Sequence, residues 1–472
     1  MTDGLAKYYN LPESLVRLVQ HGELKNGNGY FRFGSETCYG QCAGLSPVST
    51  LGGSLADAIP GTTSDNGIVS MPFDLDQVVD NLRNERYVRR SIFNSTTASA
   101  YYMVRPLLPV AIRKHLQQIR LMNWDKLPFP HWPVDVTVDN LFERSMLLAL
   151  RSGGHERIPF VWFWPDGASS CGIMTHDVET TAGRDFCSTL MDIDDRFGIK
   201  SSFQIVPERR YDVPNSYLDE IRSRGFEINV QDLNHDGRLF RERRKFLSRI
   251  PKINAYGREW GARGFRAAIL YRRQEWFDSL EFSYDMSVPN VAHLDPQRGG
   301  CCTVMPYFVG DVLELPVTTT QDYSLFHILQ DYSIDLWKRQ IDLIMEKHGL
   351  ISFIVHPDYI TASRPRQTYE TLLAHLAQLR GARNIWMPIP GEVDHWWRQR
   401  AQMRLVPDGD QWRIEGPGKD RARIAYASEE GGRLVLSLQE ANSAACRPMS
   451  EIESDEKFLM SETPSNSTQE QD

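Results

Sequence analysis

The sequence predicts an α/β protein whose central body is a parallel (β/α) barrel spanning residues 158–390. Two observations lead there. From Ile158 onward, short β-branched apolar runs alternate with amphipathic stretches, the signature of strands joined by helical crossovers. That segment is 233 residues long, close to the ~250 of a typical barrel. An open doubly wound sheet fits the alternation almost as well. The stretch after the first strand, GIMTHDVETTAG, however, lacks the G-x-G-x-x-G phosphate turn expected of a dinucleotide-binding sheet.

Before the barrel, residues 1–70 are rich in Gly, Ser and Asn and read as turns with little periodic structure. Residues 73–152 read as helical, with apolar residues at three- and four-residue steps around Asp76–Leu82 and Thr137–Leu150. Tyr101–Trp124 mixes arginines with hydrophobic residues. Because Pro106 and Pro109 interrupt it, a packing helix with solvated charges is expected there rather than a membrane-surface helix.

Within the barrel the expected strands are Cys171–Asp177, Ser201–Val206, Phe226–Gln231, Gly264–Ala267, Tyr284–Ser287, Val312–Val317, Leu350–His356 and Ile385–Ile389. The expected helices are Arg184–Phe197, Ser216–Arg224, Gln274–Leu280, Ser333–His348 and Gln367–Arg380. Residues 391–448 read as a helix, Val393–Met403, followed by three short strands separated by DGD, GPG and EEGG turns. Residues 449–472 hold seven acids against one Lys, with a single aromatic residue, and read as a disordered acidic tail.

Composition removes several function classes. With 41% hydrophobic and 24% charged residues in 472, collagen-like, coiled-coil and wholly disordered chains are excluded. Most of the net charge of −8 lies in the tail, so the near-neutral body argues against nucleic acid, whose binding rests on many phosphate contacts. No apolar stretch approaches the ~20 residues of a membrane helix, and the N-terminal residues show no secretory pattern. A cytoplasmic protein without an integral membrane segment is expected. Seven cysteines at scattered positions do not form a disulfide framework. Cys38 and Cys42 lack further ligands for a metal, and Cys301-Cys302 lacks an adjacent base.

In a parallel architecture, polar groups at the C-terminal ends of strands converge on one rim. Four expected strand ends carry such groups: Thr175-His176-Asp177-Val178-Glu179, Gln231-Asp232-Leu233-Asn234-His235-Asp236-Gly237, Arg266, and Val355-His356-Pro357-Asp358. Alternation along the first strand places Asp177 and Glu179 on one face and His176 and Val178 on the other. Two carboxylates, imidazoles and an arginine in one place suit a metal-assisted hydrolase. Asp236 reads more simply as the cap of a helix starting at Arg238. The basic run Arg238–Arg249 reads as a solvated helix face rather than a site for an anionic substrate.

Residues 171–357 resemble the polysaccharide deacetylase superfamily, which includes the nodulation-factor and chitin deacetylases. The resemblance rests on Thr175–Glu179, Glu227–Gly237, Gly264-Phe265-Arg266, Tyr284-Asp285 with Leu313-Glu314-Leu315-Pro316, and Ile354-Val355-His356-Pro357, in that order. It implies a distorted (β/α) barrel that removes N-acetyl groups from an amino sugar or glycan precursor with a bound divalent metal, zinc foremost. Carried over, Asp177 is the general base, Arg266 orients it and His356 is the general acid. Glu179, His235 and Gln231 would be metal ligands, and Asp232, His293 and Asp285 would lie on the substrate side. Two positions depart from the family pattern: Val178 stands where a metal-binding Asp is usual, and Gln231 replaces the first metal histidine. A neutral amide is a weaker zinc ligand than imidazole. The second reading is therefore a catalytically weakened barrel that binds carbohydrate or serves as a scaffold.

Overall fold

A computed structural model describes residues 3–24, 27–46, 48–88, 121 and 123–439. The expected Tyr101–Trp124 helix falls almost wholly, and the acidic tail wholly, outside the described residues.

The N-terminal part carries more regular structure than its composition suggests. It contains β1 (Leu18–Gln20), β2 (Gly29–Phe33), β3 (Glu36–Gly40), β4 (Thr63–Asp65) and β5 (Ile68–Met71). The strands β2 and β3 form an antiparallel hairpin, while β5 pairs with both β1 and β4. The expectation of mere turns is corrected here. These strands are three to five residues long, too short for alternation to stand out between glycines. Helices Leu75–Arg83 and Thr137–Gly153 match the expected positions. Asp74 caps the first by accepting a hydrogen bond from the Gln77 amide.

The strand β6 (Arg157–Val161) lies at the head of the expected barrel segment but belongs to a different sheet. The central sheet is built from β7 (Ser170–Val178), β8 (Ser201–Ile205), β9 (Glu227–Gln231), β10 (Gly264–Arg266), β11 (Tyr284–Asp285), β12 (Tyr307–Val309), β13 (Val312–Glu314), β14 (Leu350–Ile354) and β15 (Ile385–Trp386). Its order is β12-β13-β11-β10-β9-β8-β7-β14, with β15 also on β7. Every pairing is parallel except β12 with β13. Successive strands thus wind in one direction and β14 returns to β7, which is barrel topology rather than a doubly wound sheet. No strand ladder joins β13 to β14. The gap is bridged by Thr318 and Thr319, whose hydroxyls donate to Leu350 O (2.7 Å) and Ser352 O (2.8 Å). This is the distorted (β/α) barrel that the sequence predicts.

Helices Thr181–Arg196, Asn215–Ser223, Asp335–Met345 and Ser363–Arg383 fall where expected. The helix Arg243–Trp260, eighteen residues long, starts five positions after Arg238. Asp236 therefore does not cap it. Instead, Asp236 accepts from the Arg238 amide (2.9 Å) and from both terminal nitrogens of Arg249 (2.8 and 2.6 Å).

After helix Pro390–Gln402 come β16 (Arg404–Asp408), β17 (Gln411–Glu415), β18 (Ile424–Glu430) and β19 (Arg433–Leu438). The strand β18 pairs antiparallel with β19 on one edge and with β6 on the other. Beside this sheet sits Arg400, 3% exposed. Its guanidinium donates to the carbonyls of Trp162 (3.0 Å), Val161 (2.7 Å), Tyr9 (3.0 Å) and Tyr8 (3.2 Å). It stacks over Phe163 and Trp397, each centroid at 5.3 Å. Burial lowers its pKa to about 9, so the cation is held by carbonyl dipoles and ring faces. One residue thereby ties the helix Gly4–Tyr9, β6 and the helix Pro390–Gln402 together. The six described cysteines are all buried and unpaired.

Candidate functional site

The site forms where the chain leaves β7, β9, β10 and β14 at their C-terminal ends. The face alternation expected of β7 holds. His176 turns outward, its Nδ1 3.0 Å from Val355 O and its Nε2 3.1 Å from Asp194 Oδ2. Asp177 and Glu179 turn inward. Ligand atoms of Asp177, Glu179 and His356 all lie within 4.8 Å of one another.

Asp177 is nearly sealed. Arg266, with no exposed side-chain surface, donates from Nη1 to Asp177 Oδ1 (3.2 Å) and from Nη2 to Thr175 Oγ1 (3.1 Å). Burial holds the Asp177 carboxyl above its ordinary range, against the opposing pull of Arg266 and His356. Glu179 behaves in the opposite way. Burial would raise it, but His235 and His356 outweigh burial and hold it well below the usual carboxylate range. Its Oε1 lies 2.7 Å from His235 Nε2 and 3.5 Å from His356 Nε2.

His356 is fixed by Asp322, a residue that no sequence signal marked. One Asp322 oxygen lies 2.7 Å from His356 Nδ1, and the other accepts from the His356 amide at 2.7 Å. Burial disfavours the imidazolium, but Asp322 and Glu179 prevail and the His356 pKa rises well above its ordinary value. The two residues are 34 positions apart. Asp322 ends the polar run Thr318–Asp322 beyond β13, and a search limited to strand ends passes over it.

Gln231, at the end of β9, stands between the carboxylates. Its Nε2 donates to Asp177 Oδ2 and Glu179 Oε1, both at 3.2 Å. Its Oε1 is buried without a hydrogen-bond partner. Turning the amide over would aim that oxygen at the space between the carboxylates. Two hard carboxylates, one imidazole and an orphaned amide oxygen form a donor set that fits a divalent cation.

This donor group differs from the expected Glu179, His235 and Gln231, because Asp177 and His356 join Glu179 while His235 stands aside. His235 is bonded instead to Arg210, also unmarked in the sequence. Arg210 Nη2 donates to His235 Nδ1 at 2.9 Å. The other ring nitrogen, Nε2, faces Glu179 Oε1 at 2.7 Å.

Of the three residues expected on the substrate side, Asp285 is bonded internally, while Asp232 Oδ2 and both ring nitrogens of His293 are buried without hydrogen-bond partners. Asp232, with φ 51°, accepts from the Leu233 amide at 2.6 Å. Asp285 accepts from Ser287 Oγ and N. His293, 1% exposed, stacks on Trp132 with centroids 5.9 Å apart, and burial lowers its pKa to about 4.

Fold and site together define the class: a (β/α) barrel with a carboxylate–imidazole cluster and a buried arginine on its C-terminal rim. No family model matches the chain, and no curated protein matches it. Among solved structures it is similar to a protein from Mycobacterium smegmatis described as a polysaccharide deacetylase. That match has 17% identity and a TM-score of 0.41, and it covers 50% of this chain and 93% of the other. It is also similar to Puue allantoinase (11%, TM-score 0.38, 50% and 92%). A third similar structure is the peptidoglycan deacetylase PdaC from Bacillus subtilis (11%, TM-score 0.32, 50% and 95%). Among the described residues no helix is long and apolar enough to cross a membrane.

Proposed function

We propose that this protein is a metal-dependent deacetylase-like hydrolase that acts on the N-acetyl group of an amino sugar or glycan precursor. The observation that carries the reading is the meeting of Asp177, Glu179 and His356 within 4.8 Å beside the Arg266–Asp177 pair. A divalent cation held by Glu179 with the turned-over Gln231 amide, zinc foremost, would polarise the amide carbonyl and acidify the attacking water, leaving Asp177 and His356 for proton transfer. Asp177, oriented by Arg266, takes the water's proton as general base. His356, kept protonated by Asp322 and Glu179, delivers a proton to the departing amine. Glu179 balances the charge of the imidazoles around it, and Gln231 spans the two carboxylates.

Zinc titration by calorimetry, coupled to amine release from N-acetylglucosamine oligomers, tests this reading. Stoichiometric zinc and measurable amine release are expected, both lost in Glu179→Gln, with release alone lost in Asp177→Asn. Full-length protein that binds less than a tenth of an equivalent of zinc, cobalt and nickel and releases no amine would overturn it. That outcome would leave the carbohydrate-binding reading.

A further inference from the structure

A second pair of acids lies in the same sheet, outside the proposed reaction. Asp285 on β11 and Glu314 on β13 are register partners, and both are fully buried. Asp285 accepts from Ser287 Oγ (2.8 Å) and from the Ser287 amide (2.7 Å). Glu314 Oε1 accepts from the Val288 amide at 3.0 Å, while its Oε2 has no hydrogen-bond donor. Ser287 Oγ in turn accepts from the amide of Ala267 at 2.7 Å, the residue following Arg266. The pair is therefore linked through one hydroxyl to the backbone that carries Arg266.

The titratable groups facing the pair are few. Arg266 on β10 is the cation, but burial outweighs its pull and holds the Asp285 carboxyl above its ordinary range. Cys301, raised to about 12 by burial, and Tyr307, raised well above its ordinary value, are neutral near pH 7. One arginine, already bonded to Asp177, cannot neutralise two further buried carboxylates, and two adjacent acids removed from water do not both ionise. Burial and the charge of Asp285 push the Glu314 carboxyl well above the usual range.

We propose that Asp285 and Glu314 hold one proton between them at neutral pH, and that the pair, through Ser287 Oγ and the Ala267 amide, keeps the backbone that carries Arg266 in place against Asp177, making Glu314 a positioning residue. The importance of that anchor for turnover rests on the proposed hydrolase reading, whereas the shared proton and the fixed guanidinium do not.

Infrared difference spectra of the full-length protein in D2O at pH 7 test the proton. A protonated-carboxyl band is expected in the wild type and is lost in Glu314→Gln. Thermal unfolding gives a second readout. A carboxyl held neutral in the fold opposes folding increasingly as pH rises above the unfolded value, whereas glutamine does not. The unfolding temperature of Glu314→Gln relative to wild type should therefore climb steadily from pH 5 to pH 9. A wild type without the band, or a gap independent of pH, overturns the shared proton. Arg266 is followed by 15N NMR of its guanidinium, assigned with Arg266→Lys. Slow rotation is expected in the wild type and faster rotation in Asp285→Asn, and unchanged rotation overturns the anchoring role. None of these readouts needs turnover, so an inactive protein would refute the hydrolase reading and leave this one standing.

Discussion

Replacing Asp322 by Asn should lower the pKa of His356 by about one to two units. Asp322 holds the imidazole at Nδ1 and the peptide N–H of the same residue, each at 2.7 Å, in a place where neither side chain exposes more than 6% of its surface. A hydrogen bond to a charged group contributes about 1.5–3 kcal/mol, and one pKa unit corresponds to about 1.36 kcal/mol, which gives that range. Glu179, whose nearer oxygen is 3.5 Å from Nε2, remains as a weaker counter-charge, so the pKa falls but the imidazolium is not abolished. The assay is a pH titration of 13C-labelled histidines in chelator-treated protein, with the His356 signal assigned by its loss in His356→Gln. Stability adds an independent sign. Because the folded-state pKa of His356 is raised, its stabilisation is complete below about pH 6.5 and fades as pH rises through the folded value. The stability gap between wild type and Asp322→Asn should therefore be widest in mild acid and narrow toward alkaline pH. An unshifted His356 titration would refute the reasoning.

Three further outcomes follow from the buried charges and one glycine. Arg266→Met strands Asp177 without its cation and should cost about 3–5 kcal/mol, with a larger loss at pH 8 than at pH 6 because a raised carboxyl destabilises the fold as pH climbs; urea midpoints at the two pH values check it. Arg400→Met leaves four carbonyls of Tyr8, Tyr9, Val161 and Trp162 without their donor and should lower stability by about 3 kcal/mol, measured by urea denaturation, with only a small change in zinc affinity. Gly300 has φ 145°, and a Cβ there would collide with the Asn290 carbonyl. Gly300→Ala should therefore cost at least about 2 kcal/mol, read as a lower unfolding temperature.

The barrel was legible because its strands are buried on both faces and flanked by amphipathic helices, so apolar runs alternate with periodic ones. Asp177, Glu179, Arg266 and His356 were legible because strand ends are fixed points from which side-chain direction can be counted. Asp322 and Arg210 were not, since Asp322 opens a short helical turn after β13 and Arg210 lies in a loop, and the placement of both depends on the packing of the whole rim. The N-terminal strands escaped notice for a different reason: three- to five-residue strands between glycines carry too few positions for a period. The helix expected from Arg238 begins five residues later, at Arg243, and runs on through Pro251 to Trp260, so its bounds rather than its presence were hidden. The stacking of His293 on Trp132 was not legible either, because the two rings lie far apart in sequence and neither sits at a strand end.

The pairing of β6 with β18 and the grip of Arg400 also bear on how the chain comes off the ribosome. Arg400 and its acceptor at Trp162 are 238 residues apart. At ~5–20 residues per second, β6 waits roughly 12–50 s before its partners exist. Throughout that interval its hydrogen-bonding edge and the carbonyls that Arg400 will occupy have only water as a partner. An isolated 158–390 fragment would stay in that condition permanently, with an open edge strand that invites self-association. The nascent chain thus has a defined window of aggregation risk. Slowing synthesis between the codons for residues 161 and 424 should lengthen it, and chaperone demand should rise in proportion.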